Sequence, residues 1–131
     1  MGRFNGRVAL ITGAASGIGR ATAMRMAADR ATIVGFDRDV DGLTSVSAEI
    51  SEAGGTMTTV TGDVSIRTDC IAAVDAAVST HGRLDILANV AGVTWAEHVA
   101  DITEAGWNQM MEVNVSGSFW CAQAALPHLL E

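Results

Sequence analysis

The sequence predicts an α/β fold, a parallel sheet wrapped by helices on both faces. Three observations carry that prediction. Strand-like and helix-like patterns alternate with short connections along the 131 residues. The first apolar run enters a glycine-rich turn and then an alanine-rich helical pattern, Val8-Ala9-Leu10-Ile11-Thr12-Gly13-Ala14-Ala15-Ser16-Gly17-Ile18-Gly19. Small or polar residues also follow all four strand-like runs, and open parallel sheets bind ligands at those strand ends.

Each element has its own signal. Val8 to Ile11 reads as a short buried strand. Ile18, Ala21, Met24 and Ala28 recur at helical spacing, which predicts a helix from Gly17 to about Asp29. Ala31 to Phe36 is a second strand. Val40, Leu43, Val46 and Ile50 mark a second helix, stopped by Gly54-Gly55. Thr56 to Thr61 is rich in β-formers and gives a third strand. Ile71, Val74 and Val78 mark a third helix, with Ser65 as its N-cap and Gly82 as its stop. Leu84 to Ala88 is a fourth strand. A final helical region runs from about Glu104 to Leu130, capped by Thr103. No repeat, linker or low-complexity tract interrupts residues 1–131, which read as one domain.

Composition narrows the function classes. Hydrophobic residues are 49% of the chain, yet no apolar run approaches the roughly 18 residues of a membrane span. Buried parallel strands account for the surplus. The polar start, Met1 to Arg7, has only four apolar residues after it, so no secretory signal is expected and the cytoplasm is the expected compartment. A net charge of −7 argues against nucleic acid or an anionic membrane as partner. Cys70 and Cys121 read as two buried thiols. His81, His98 and His128 lack metal-ligand spacing, and no metal is expected.

The glycine spacing, G-x-x-x-G-x-G, lets backbone N–H groups approach a pyrophosphate at a helix N-terminus. A structural turn alone would use the same glycines, but Asp37 after the second strand adds a second signal. A carboxylate there can accept hydrogen bonds from the adenosine ribose hydroxyls and would repel a 2′-phosphate, so NAD is favoured over NADP. Arg38 is the counter-argument, since a guanidinium at that loop can hold a 2′-phosphate. Asp63, followed by Val64, ends the third strand and suits either the adenine side or a turn cap. Asn89, Val90, Ala91 and Gly92 end the fourth strand, and the Asn89 amide can tie neighbouring strands together. Asp39 and Asp41 read as a solvated helix start, and Trp95, Trp107 and Trp120 as core or interface residues.

These residues resemble the short-chain dehydrogenase/reductases of the classical type. Thr12 to Gly19 is similar to that family's T-G-x-x-x-G-x-G, and Asp63-Val64 to its adenine-side D-V. Gly82-Arg83-Leu84-Asp85-Ile86-Leu87-Ala88-Asn89-Val90-Ala91-Gly92 is similar to G-x-[IL]-D-x-L-x-N-N-A-G, with Val90 in place of the second Asn. Trp107 to Gly117 is similar to the helix segment ending in V-N-x-x-G. The resemblance implies a Rossmann-type sheet of strand order 3-2-1-4, cut off after four strands. It implies a dinucleotide contacted by Gly13, Ser16, Gly17, Ile18, Gly19, Asp37, Arg38, Asp63, Val64, Asn89, Ala91 and Gly92. It also implies hydride transfer between a nicotinamide and a small alcohol or ketone, in a full-length form that is a homo-oligomer.

The family's proton chemistry uses Asn, Ser, Tyr and Lys. Only Asn114 matches a position here, and the resemblance implies a helix distortion there. The sequence holds no Tyr and no Lys. An unperturbed Tyr has a pKa near 10 and needs a close cation to act at neutral pH. The chain is therefore expected to be the N-terminal, cofactor-binding part of such an enzyme and inactive alone. A non-catalytic dinucleotide-binding module and an interaction fragment pairing through its sheet edge are the alternatives. The resemblance implies a fifth strand beside Leu84–Ala88; without it, the isolated chain is expected to be only marginally folded, with strand four as an apolar edge and Val115, Phe119 and Leu126 of the last helix exposed.

Overall fold

A computed structural model describes residues 2–131. Four parallel strands form one sheet: β1 (Val8–Thr12), β2 (Thr32–Asp37), β3 (Thr56–Thr61) and β4 (Ile86–Ala88), in the order β3-β2-β1-β4. Helices α1 (Gly17–Ala28), α2 (Val40–Glu52) and α3 (Arg67–His81) connect them. After β4 come a 3-10 turn (Val99–Asp101), α4 (Glu104–Met111), a π-helical turn (Glu112–Ser116) and α5 (Gly117–Leu129). The fold is thus the predicted one, a Rossmann-like sheet in the implied strand order.

The strand period of two divides the core. Val8 and Leu10 of β1 pack with Val34 and Phe36 of β2 against α3 and α5. Ala9 and Ile11 face the opposite way, with Ile33, against α1 and α2. Leu10 lies opposite Val34 in β2 and Leu87 in β4, so the centre of the sheet is apolar on every side. Burying a side chain such as Leu10 or Phe36 contributes about 1.5–3 kcal/mol.

Several boundaries and faces differ from the expectation. The buried side of α1 is Gly19, Ala23, Met26 and Ala27, and Ile18 is 76% exposed. Alanine and glycine give little hydrophobic contrast, so the largest side chains misled the helix phase. Asp37 is the last residue of β2 and pairs with Thr61, not the first residue after the strand. β4 begins at Ile86, although Leu84 is buried ahead of it. The N-cap of α3 is Ile66 rather than Ser65. Both the N–H and the hydroxyl of Ser65 bond to Asp63 Oδ1, at 2.9 and 2.7 Å, and this turn delays the helix by one residue. The inward face of α3 is Cys70, Ala73, Val74 and Ala77, while Ile71 is exposed.

Other local signals held. Gly82 ends α3 in the left-handed conformation at φ 75°. Thr103 caps α4, its hydroxyl accepting the Gly106 N–H at 3.0 Å. Asp39 does more than start a solvated helix: its carboxylate accepts the Gly42 N–H at 3.0 Å and caps α2. Cys70 and Cys121 are buried free thiols, and burial raises the pKa of both. Trp120 is half-buried beneath the Arg67 guanidinium, 4.9 Å from the ring centre, and Trp107 is exposed.

Asp85 fastens the start of β4 to β1. Its Oδ2 accepts the Val8 N–H at 2.9 Å and its own N–H donates to the Val8 carbonyl at 2.9 Å. Arg83 and Arg7 both reach the same carboxylate. The Arg83 hydrogen bond, with the Val8 N–H and Arg7, holds its pKa down to about 2 against an ordinary 3.8, despite burial. A depressed folded pKa contributes stability above the unfolded value that disappears as pH falls from about 4 towards 2. The side chain is 9% exposed but its arginines are 57% and 54% exposed, so solvent screening limits the contribution to about 1–2 kcal/mol. Asp85→Asn should cost that much at pH 7 and flatten the acid dependence between pH 4 and 2. Urea-unfolding curves for both proteins across that window check it; a gap that does not narrow with falling pH contradicts it.

Candidate dinucleotide-binding cleft

The carboxyl ends of the four strands open onto one cleft of about 370 Å³. Its lining includes Gly13, Ser16, Gly17, Ile18, Gly19, Asp37, Arg38, Asp63, Val64, Ala91 and Gly92. Eleven of the residues singled out in the sequence therefore share one cavity. Phe36, Gly62, Val90, Val93 and Val113 complete it.

The turn from β1 to α1 forms one wall. Gly13 has φ 67° and Gly17 φ 54°, backbone conformations that favour glycine. A Cβ on Gly19 would stand 2.0 Å from the Gly13 carbonyl oxygen, and one on Gly13 would stand 2.9 Å from the Ala91 Cα. Nothing lies within 4 Å of the Cβ position at Gly17, so the turn is open on its outer side. Ser16 is the N-cap of α1 but makes no side-chain capping bond. The first helical N–H groups, with no acceptor in the preceding turn of their own helix, form a positive end suited to an anion.

Two acidic residues shape the adjoining wall. Asp37 Oδ2 accepts the Ala15 N–H and Oδ1 the Asp39 N–H, both at 3.0 Å, which fixes the carboxylate between the glycine turn and α2. Arg38 Nε lies 3.7 Å from Asp63 Oδ2, joining the ends of β2 and β3. Asp63 is also a turn former through Ser65, and its own N–H donates to Asp69 at 2.9 Å. Val64 closes the floor: its carbonyl accepts the Cys70 thiol at 3.2 Å, and a Cβ on Gly117 would stand 2.9 Å from its Cβ.

Thr12 holds the β4 side and was not singled out for a role in the sequence. It is buried, and its hydroxyl accepts the N–H groups of both Val90 and Ala91, at 2.9 and 3.0 Å. A hydroxyl directly after four apolar strand residues was the available signal. Asn114 sits within the π-helical turn, where the Gly117 N–H bonds to the Glu112 carbonyl, as expected of a distorted helix. Its side chain grips the backbone of Val93, Oδ1 accepting the N–H and Nδ2 donating to the carbonyl, each at 2.8 Å. Asn114 therefore fixes the loop after β4, although its side chain does not line the cleft. Asn89 also lies off the lining. It does not tie strands together: its amide donates to the Ser118 carbonyl of α5 at 3.2 Å, since β4 has no strand on its far side.

Among the described residues no group of three or more His, Cys, Asp or Glu is placed to hold a metal. No described helix is long and apolar enough to cross a membrane.

Comparison with known proteins agrees with this geometry. The family model described as short chain dehydrogenase matches residues 7–131. D-threitol dehydrogenase of Mycolicibacterium smegmatis is 36% identical over 98% of this chain and 50% of its own. The 3-oxoacyl-[acyl-carrier-protein] reductase of Thermotoga maritima is 33% identical over 98% of this chain and 52% of its own. A metagenomic short-chain oxidoreductase crystallised with NADP superposes with a TM-score of 0.92 at 33% identity, over 97% of this chain and 58% of its own. The chain spans about half the length of the curated relatives it matches. With the sheet order, the glycine turn and these matches in agreement, the chain belongs to the short-chain dehydrogenase/reductase family of NAD(P)-binding oxidoreductases.

Proposed function

We propose that this chain binds the dinucleotide of an oxidoreductase that interconverts a hydroxyl and a carbonyl group on a small molecule, with NAD preferred to NADP. The observation that carries the reading is the cradle at the β1–α1 turn. Side chains at Gly13 or Gly19 would collide with backbone, while the outer side at Gly17 is open. Such a turn leaves room for a pyrophosphate against the first N–H groups of α1. Gly13, Ser16, Gly17, Ile18 and Gly19 would hold it, with Asp63 and Val64 towards the adenine and Ala91 and Gly92 towards the nicotinamide. When bound, the nicotinamide supplies the hydride chemistry.

Two features support the choice of NAD. The Asp37 carboxylate is fixed by two backbone N–H groups and retains lone pairs for ribose hydroxyls. A 2′-phosphate beside it would meet like charge. Arg38, the cation able to offset that, stands next to Asp63. Asn114, through its hold on Val93, would keep the nicotinamide side of the cleft in place.

The absence of Tyr and Lys from the sequence leaves the residue types of the family's acid–base pair unrepresented. The isolated chain is accordingly inactive in this reading and acts as a binding module. A cytoplasmic setting is in keeping with the two buried free thiols, Cys70 and Cys121. The net charge of −7 leaves small molecules, rather than nucleic acid, as the partners. In this reading the full-length form is a homo-oligomer.

Titration calorimetry tests cofactor choice. NAD should bind more tightly than NADP, and Asp37→Ala should weaken NAD by about 1.5–3 kcal/mol while relaxing the discrimination. Unchanged NAD affinity in the variant would place the ribose elsewhere. The chain should also form no NADH above background from NAD and a panel of secondary alcohols; turnover proportional to its concentration would refute the inactive reading.

A further inference from the structure

Reactive groups on the surface are distinct from the apolar ones. Val115, Phe119 and Leu126 are exposed, as the sequence predicts, and carry no chemistry of their own. Asn5 and Gly6 are also exposed, and together they do. In an Asn-Gly pair the glycine nitrogen, once it has lost its proton, can attack the neighbouring side-chain amide carbon. Glycine has no Cβ to shield that nitrogen, and the two groups are already joined by the chain.

The structure leaves this pair open. Phe4 to Arg7 form a turn, the Arg7 N–H donating to the Phe4 carbonyl at 2.9 Å. Gly6 takes its third position at φ 76°, the positive φ that a type II turn requires there. Among the described residues neither the Asn5 side chain nor the Gly6 N–H has a hydrogen-bond partner. Nothing lies within 4 Å of the Cβ position at Gly6. The other candidates are closed. Asp41-Gly42, the one further Asn-Gly or Asp-Gly pair, lies within α2, where the Gly42 N–H donates to Asp39 at 3.0 Å. The amides of Asn89 and Asn114 are bound to backbone, and Val follows each of them. Asn108 lies within α4 and precedes Gln109.

We infer that Asn5 is a self-modification site, at which the chain converts asparagine to isoaspartate and aspartate through a cyclic imide with Gly6. The Gly6 nitrogen bonds to Asn5 Cγ, and the Cγ–Nδ2 bond breaks. Ammonia leaves, carrying the proton that Gly6 gave up. Water then opens the ring at either carbonyl, so one water is consumed, one ammonia is released and nothing is oxidised or reduced. Opening at the main-chain carbonyl gives isoaspartate and adds a methylene to the backbone. The new carboxylate stands on a polar cavity of about 510 Å³ that Asn5 shares with Arg30, Thr32 and Thr56. The added methylene breaks the Arg7–Phe4 turn. The Arg7 carbonyl accepts the Thr32 N–H at 2.9 Å, so the change is felt where β1 and β2 begin. The dinucleotide cleft lies at the opposite ends of these strands, and the inference does not rest on what it binds.

The test incubates the purified chain at mildly alkaline pH and follows released ammonia, intact mass and peptide maps. An isoaspartyl O-methyltransferase with labelled S-adenosylmethionine counts the isoaspartate. Ammonia and isoaspartate should appear together, with the label mapping to Asn5 and the rate within tenfold of that in the urea-unfolded chain. The rate should rise at least threefold from pH 7 to pH 8, because the attacking nitrogen must lose its proton. Asn5→Gln keeps an amide but needs a larger ring, and should lower isoaspartate at least tenfold with circular dichroism unchanged. Where that variant does not fold, the unaltered chain decides alone. A folded chain in which Asn5 reacts more than tenfold slower than in urea overturns the inference. So does aspartate without isoaspartate, which marks direct hydrolysis, and so does label that maps to Asp41 or to another asparagine.

Discussion

The arrangement of the cleft depends on one buried hydroxyl. Thr12 ends β1, and its oxygen accepts two consecutive N–H groups from the chain leaving β4. Those groups are removed from ordinary strand pairing at the point where β4 stops and the loop begins. A buried donor without a partner costs about 1–3 kcal/mol, so the bond is a strong constraint on where Val90 and Ala91 lie. Their position matters because the backbone of Ala91 stands directly against Gly13. The glycine turn can be tight only if that loop is held, and the loop is held from the residue preceding the turn.

The same economy recurs around the cleft. Asn114 uses both ends of its amide on the backbone of Val93, extending the restraint two residues past Ala91. Asp37 secures the glycine turn to the start of α2, and Asp63 shapes the turn that leads from β3 to α3 by accepting the Ser65 N–H. In each case a polar side chain fixes the backbone of a connection at the strand ends. The sheet interior carries the apolar burial, and the strand ends carry shape and charge. The result is a cleft lined mostly by glycine and apolar residues, with a helix N-terminus on one side and carboxylates on the other.

Much of this was legible in the sequence because the signals were local. Parallel strands without a solvent face read as continuous apolar runs, which marked β1 and β2, while β3 was marked by its run of β-formers; all three were recovered within one residue at their ends. Gly82 and Thr103 stop and start helices by local backbone chemistry, so they were found in place. Signals that depend on tertiary contacts were not. The inward face of α1 is set by how closely Gly19 and Ala23 approach the sheet, and no hydrophobic contrast encodes that. Ser65 is a good cap by composition, but Asp63 two residues earlier captures it first. Asn89 follows an edge strand, and which strand lies at an edge is decided by the whole topology. Thr12 was visible as a residue, while its two acceptor contacts reach 78 and 79 residues along the chain.

The central claim is that the Thr12 hydroxyl holds the β4 loop against the glycine turn and so shapes the cleft. Thr12→Val keeps the side-chain volume and removes the acceptor. The most direct measurement is amide hydrogen exchange at Val90 and Ala91 in this variant, alongside its NAD affinity. Protection at those two amides should fall by an order of magnitude or more, in line with a lost hydrogen bond of about 1–3 kcal/mol. NAD affinity should fall with it, protection in β1 and β2 should persist, and Thr12→Ser should restore both. Unchanged protection at Val90 and Ala91 in Thr12→Val would contradict the account.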